Sequence, residues 1–204
     1  MNDLSPLSAA GRANVARTPA AGLAAVALGM ATDGLAVPVL RGDAVNLADI
    51  RLLITDFDGV HTDDAVYVDQ HGTESVRCLR ADGYGISKLK AAGIQVVVLS
   101  AEVNPVVAAR CRKLDIKCHQ GIQDKKAQLM EWRHFSTAHV AYMGNDENDL
   151  DCLRAVGFPF VPSSAEHAVK VEALKNGWHI TKRAGGYGAV REVCDLILAA
   201  RGGS

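Results

Sequence analysis

From Asn46 onward the chain alternates short apolar runs with stretches of helical periodicity, and no other feature limits its possible folds so tightly. Runs of strand character occupy residues 51–55, 94–100, 116–119, 139–143 and 158–162, with a shorter one near 178–181. Several are continuous, as in Val96-Val97-Val98-Leu99, which is the pattern of strands covered on both faces. Between them the spacing predicts helices over 105–114, 124–134, 148–156, 166–175 and 187–200. The first of these opens with Asn104 as a cap and Pro105 at the first helical position. This order implies an α/β protein with a doubly wound, mostly parallel, Rossmann-like sheet, and such sheets place their sites beyond the carboxyl ends of the strands.

Composition removes several functional classes. The chain has 204 residues, 22 Lys+Arg against 23 Asp+Glu and a net charge of −1, so no electrostatic footprint for nucleic acid or an anionic membrane exists. Its five cysteines are odd in number and lack C-x-x-C spacing, which points to free thiols in a reducing, cytoplasmic compartment. Residues 1–46 are rich in Ala and Gly and hold no aromatic residue. The run at 20–31 follows Arg12 and Arg17 as a signal peptide would, but it is Ala-rich, weakly hydrophobic and too short to span a bilayer. Residues 1–46 are therefore expected to be a flexible or partly helical extension of a domain at 47–204.

The chemistry is concentrated in "LLITDFDGVHTDD", residues 52–64, where Asp56, Asp58, Asp63 and Asp64 follow an apolar strand. Gly59 permits a sharp turn that brings Asp56 and Asp58 to the sheet edge. Two carboxylates that close repel each other unless a cation lies between them. One can then attack as a nucleophile while the other gives and takes a proton. A solvated turn at a strand end would also produce this pattern. Just beyond, "AVYVDQHGTESVRCL" (65–79) reads as a hairpin around Asp69-Gln70-His71-Gly72. A lone hairpin is marginal in water, so this one is expected to pack against something, another subunit being the candidate.

"DFDGVHT" resembles the first motif, DxDGxxT, of the haloacid dehalogenase superfamily of phosphotransferases. Ser100 after "IQVVVL", Lys125 in "QGIQDK" and the acidic "YMGNDENDL" resemble the superfamily's other three motifs, in order. With "ADGYGISKLKAAGI", "GGYGAVRE" and the hairpin in place of a cap domain, the chain is most similar to the capless phosphatases of 3-deoxy-octulosonate 8-phosphate and of nonulosonate 9-phosphates. "DIRLLITDFDGVHTDD" and "LSAEVNPVVAARCRKL" resemble in particular the phosphatase-like domain fused to bacterial acylneuraminate cytidylyltransferases. The likeness covers about 45–200.

The resemblance implies roles. Asp56 would attack phosphorus and Asp58 would serve as acid and base. Mg²⁺ would be held by Asp56, Asp58 and the acidic motif, where Asn145, Asp146 and Asp149 are the candidates. Ser100 and Lys125 would hold the phosphoryl oxygens. Glu102, Arg110 and Lys113 match positions that meet the sugar acid, and Arg80, Asp82 and Gly83 are further substrate-binding candidates at the mouth of the site. The octulosonate enzymes usually carry Thr-Gly-Arg where this chain has Ser100-Ala101-Glu102, and the glutamate favours a nine-carbon acid. Asparagine at 145 departs from the usual aspartate and leaves the third metal ligand open between Asn145 and Asp146. The resemblance also implies a homotetramer and a possible cytidylyltransferase partner. The alternatives are an octulosonate phosphatase and a non-catalytic tetramerisation module, and a retired site would tend to lose Asp56, Asp58 or Lys125. His61, Trp132 and Trp178 read as structural. Arg77 is placed at the mouth of the site, and Gly185, Gly186 and Arg191 on a loop that closes near it.

Overall fold

Eight strands and six helices form the described part of the chain, residues 46–202 of a computed structural model. The expected extension, apart from Asn46, lies outside these residues. Six strands make one sheet: β1 (Leu52–Thr55), β4 (Gln95–Leu99), β5 (Lys117–His119), β6 (Val140–Met143), β7 (Phe158–Val161) and β8 (His179–Ile180). Its order is β5-β4-β1-β6-β7-β8, and every pairing is parallel. The expected α/β architecture is therefore present. The chain winds outward from β1 to one edge and then back across it to the other, so the topological switch lies at β1.

Both faces of the sheet are covered, which explains the continuous apolar runs. Leu53, Val96, Ala141 and Phe160 pack on Ile86 and Leu89 of α1 (Arg80–Ala91) and on Val190, Val193 and Ile197 of α6 (Ala189–Ala200). On the same face Val98 and Phe57 meet Val107 and Cys111 of α2 (Pro105–Leu114). Leu52, Ile54, Val97 and Tyr142 face the other way. There they pack on Leu129 of α3 (Lys125–Met130), Leu153 of α4 (Leu150–Ala155) and Val169 of α5 (His167–Asn176). Trp132 and Trp178 join this second cluster, as their structural reading requires.

Two helices depart from the sequence pattern. Helix α1 carries Gly83 and Gly85, each unfavourable in a helix interior by about 1 kcal/mol, and its apolar spacing does not announce it. A Cβ on Gly83 would lie 2.7 Å from Leu114 Cδ2, and one on Gly85 would lie 2.8 Å from Arg191 Cδ. Close packing of α1 against α2 and α6 thus overrides propensity. Helix α3 stops at Met130, not 134, because the chain turns there and Trp132 reaches back to sit edge-on to His119, with ring centroids 5.3 Å apart.

Strands β2 (Tyr67–Val68) and β3 (Glu74–Ser75) pair antiparallel, which gives the expected hairpin. Asp69 closes its turn by accepting the His71 and Thr73 backbone N–H groups at 2.8 and 2.9 Å. All four strand residues are exposed, as is Val66. Among the described residues no helix is long and apolar enough to cross a membrane.

Candidate active site

The site forms where β1, β4 and β6 end. Asp56 follows β1 directly, and its backbone N–H donates to Met143 O at 2.8 Å, which anchors it to β6. The next residues wrap tightly: the N–H groups of Val60, His61 and Thr62 all point to Phe57 O, while Gly59 N and Asp64 N both donate to Thr62 Oγ1. Gly59 has φ +66°, and a Cβ there would run into the Asn145 side chain. Only glycine meets both demands. From the far end of the chain, Gly185 and Gly186 lock this turn from outside. A Cβ on Gly185 would run into Gly59 O, and Gly186 N donates to Val60 O at 3.1 Å.

Lys125 stands at the first position of α3, almost wholly buried. Its Nζ lies 2.8 Å from Asp56 Oδ2, 2.8 Å from Asp149 Oδ1 and 3.4 Å from Asn148 Oδ1. Burial alone would lower its pKa, but the two carboxylates outweigh burial and hold it above its ordinary value. Asp56 is pushed up to about 8, first by burial and then by the Asp149 charge, against the pull of Lys125. Asp58 is half-buried and also raised, by burial and then by Glu102 and Asp64, which favours its protonated form. Ser100 directly follows β4, and its Oγ accepts Glu102 N at 3.1 Å.

A cavity of about 410 Å³ joins these groups, lined by Asp56, Asp58, Ser100, Glu102, Lys125, Asn145 and Asp146 among others. The four catalytic candidates, Asp56, Asp58, Ser100 and Lys125, therefore come together, and of the substrate-binding candidates Glu102 joins them. A second cavity of about 250 Å³ adjoins Asp58 under the hairpin and includes Asp64, Glu74, Glu102 and Asn104. Glu102 is anchored there, since its Oε1 accepts Val103 N and Asn104 N at 2.6 and 2.8 Å.

The other proposed sugar-binding residues line neither cavity. Arg110 turns away and donates from Nη2 to Leu79 O at 2.9 Å. Lys113 and Arg80 are exposed on α2 and α1, and Gly83 serves packing as described above. Asp82 is buried, and its Oδ1 accepts Arg191 N at 2.9 Å, capping α6. Arg77 clasps the closing loop: its Nη1 donates to Gly186 O at 3.0 Å and its guanidinium lies over the Tyr187 ring. His61 is held neutral by burial, with its pKa lowered to about 3. It rests at 2.8 Å from Thr55 Oγ1 and stacks on Phe57, which is the structural part expected of it.

The metal candidates divide. Asp149 is completely buried and spends both oxygens on Lys125, Tyr142, Asn145 N and Asp146 N, so in this arrangement neither oxygen is open to a cation. Among the described residues no three His, Cys, Asp or Glu side chains converge into a metal cluster. Asn145 lines the same cavity as Asp56 and Asp58. Its Oδ1 is buried without a hydrogen-bond partner beside Asp56 and Asp58, a vacancy in its bonding that a divalent cation fits. Asp146 is exposed at the rim, with its Oδ1 accepting Glu147 N. Sequence reasoning passed over Tyr142 and Asn148, which bind Asp149 and Lys125. A lone phenol in an otherwise apolar buried strand was the available signal, because a buried hydroxyl needs a partner.

An Asp-x-Asp turn at the switch point, with serine, lysine and an acidic loop at the neighbouring strand ends, defines a hydrolase of the haloacid dehalogenase (HAD) superfamily. No family model matches the chain. It is 34% identical over 169 residues to the 3-deoxy-D-manno-octulosonate 8-phosphate phosphatase KdsC of Escherichia coli K12, covering 81% of this chain and 88% of that protein. A Streptomyces avermitilis structure named as a HAD family hydrolase matches with a TM-score of 0.71 at 41% identity, over 76% of this chain and 88% of that one. The Moraxella catarrhalis 3-deoxy-D-manno-octulosonate 8-phosphate phosphatase, solved with magnesium, phosphate and KDO, matches with a TM-score of 0.68 at 30% identity, over 76% and 90%. The chain belongs to the KdsC-type, capless phosphatase family of the HAD superfamily.

If Asn145 supplies a neutral oxygen to the cation, Asn145→Asp should tighten Mg²⁺ binding by roughly tenfold in a calorimetric titration, because it adds a charge to the ligand set. Unchanged affinity would remove Asn145 from that set.

Proposed function

We propose that the chain is a Mg²⁺-dependent phosphomonoesterase acting on a phosphorylated 3-deoxy-2-keto sugar acid, with residues 47–204 as the phosphatase domain. The observation that carries this reading is the buried Lys125 ammonium shared between Asp56 and Asp149 beside an open cavity. Such an arrangement is poor as a stabilising device and well suited to charge moving onto a phosphoryl group. The relatives named above, phosphatases of an eight-carbon sugar acid, support the substrate class.

In this reading an Asp56 oxygen attacks phosphorus while the bond to the ester oxygen breaks, and protonated Asp58 gives that oxygen its proton. The Asp58 carboxylate then takes a proton from water as the water attacks the aspartyl-phosphate, which frees Asp56 and releases phosphate. Ser100 and Lys125 hold the phosphoryl oxygens throughout. Asp56, the Asp58 carbonyl and Asn145 would hold Mg²⁺, which supplies positive charge to offset the crowded carboxylates and the phosphoryl oxygens.

Glu102 carries the finer assignment. It lines both cavities with one oxygen committed to the backbone, and no Lys or Arg other than Lys125 lines either. The carbons next to the ester would therefore present hydroxyls to Glu102, and the substrate's carboxylate would lie further out. This supports a nonulosonate 9-phosphate of sialic-acid or KDN type. The relatives' names support the eight-carbon 3-deoxy-octulosonate 8-phosphate as the second reading.

A homotetramer supplies what one chain lacks. Val66, Tyr67 and Val68 are more than half exposed on a hairpin that covers the second cavity, and burying them against neighbours would roof the site. Arg80, Lys113 or Arg110 of a neighbour then becomes the cation for the substrate carboxylate. The five free cysteines support a cytoplasmic setting, and the likeness to the fused domain supports a cytidylyltransferase as partner.

Three outcomes follow. Phosphate release from p-nitrophenyl phosphate should require Mg²⁺, and Asp56→Asn should lower kcat by more than about 10³-fold with the melting transition retained; substantial activity in that variant would refute the nucleophile. Over a panel of eight- and nine-carbon sugar-acid phosphates, Glu102→Arg should shift the kcat/KM ratio away from nine-carbon members on the order of tenfold. A uniform loss across the panel would show that Glu102 does not select substrate. Light scattering should report four chain masses, and a fully active monomer would end the tetramer proposal.

A further inference from the structure

Tyr142 takes no part in the chemistry above, yet its hydroxyl reaches into the machinery. It lies on β6 and heads the largest fully buried side chains. Its Oη donates to Asp149 Oδ1 at 2.7 Å, the same oxygen that accepts Lys125 Nζ at 2.8 Å. The other oxygen, Oδ2, accepts Asn145 N at 2.9 Å and Asp146 N at 3.3 Å. Four donors thus fill the acceptor capacity of one carboxylate. On Oδ1 the charge is divided between a phenol and an ammonium. Without the phenol, Lys125 would be the only donor there, and its pairing with Asp149 would tighten. Lys125 is needed on its other side, where it meets Asp56 Oδ2 at 2.8 Å.

We propose that Tyr142 is a positioning residue for phosphoryl transfer: by sharing Asp149 Oδ1 it keeps Lys125 poised between Asp149 and the phosphoryl site. This rests on the phosphatase reading. Burial, with Asp149 second, raises the Tyr142 pKa well above its ordinary value, so the hydroxyl stays a donor. The effect belongs to the transition state, where charge builds on the oxygens that Lys125 holds.

Tyr142→Phe keeps the ring and removes the donor. With Mg²⁺ present, binding of orthovanadate, which mimics the transferring phosphoryl group, should weaken roughly tenfold, while inorganic phosphate changes less than about twofold. In turnover kcat should fall and KM stay near its starting value. In an Asp149→Asn background the same substitution should change vanadate affinity less than about twofold, because the shared carboxylate is gone. Replacing Tyr142 by 3-fluorotyrosine, which keeps the hydroxyl, should restore wild-type binding. Wild-type vanadate affinity in Tyr142→Phe, an equal loss for both anions, or the full loss in the Asp149→Asn background would overturn the proposal. If the wild-type chain bound neither anion, the phosphatase reading would fail and this inference with it.

Discussion

A lysine ammonium with almost no access to water, held between two carboxylates, is the interaction on which the rest of this molecule depends. Isolated in the interior, any of the three charges would be expensive. With both carboxylates ionised, Asp56, Lys125 and Asp149 sum to one negative charge, and the raised pKa of Asp56 shows that this excess is costly without a further cation. The end of β1 and the turn between β6 and α4 supply the carboxylates, while the first turn of α3 delivers the lysine. Because each comes from a different crossover of the sheet, the site exists only when the switch at β1 is assembled.

The surroundings show the same arithmetic. Asp58, Asp64, Glu74, Glu102 and Asp146 line the two cavities, and Lys125 is the sole cationic side chain among the lining residues. A dianionic phosphate ester entering that field meets repulsion unless positive charge arrives with it. A divalent cation held beside Asn145 would supply part of that charge, and basic residues of a neighbouring subunit would supply more. Arg110 and Lys113 lie outside the cavities of their own chain, which is intelligible if they serve the one next door.

Much of this was legible in the residues themselves. The continuous valine run of β4 announced a strand buried on both faces, and Asn104-Pro105 announced the start of α2. The Asp56-x-Asp58-Gly59 turn announced a charged strand end, although only the likeness to a family turned it into phosphoryl chemistry. Helix α1 was hidden because its glycines answer to neighbours, Leu114 and Arg191, that no local pattern reveals. Asp82 shows a related effect, since its contact with the start of α6 is invisible in the local sequence. Polar residues near a mouth in sequence can be spent on helix caps and carbonyls once the chain closes. Tyr142 was concealed by its strand, since a phenol among valine and methionine reads as core until its hydroxyl's partner is known.

In the proposed reaction Asp56, held by Lys125, becomes covalently phosphorylated. Rapid quenching during turnover, followed by borohydride reduction and peptide mass spectrometry, tests this directly, because borohydride converts an acyl phosphate to homoserine. The account predicts homoserine at position 56 only when both substrate and Mg²⁺ are present. An unmodified Asp56 under turnover, or reduction at Asp58 or another carboxylate, would contradict it.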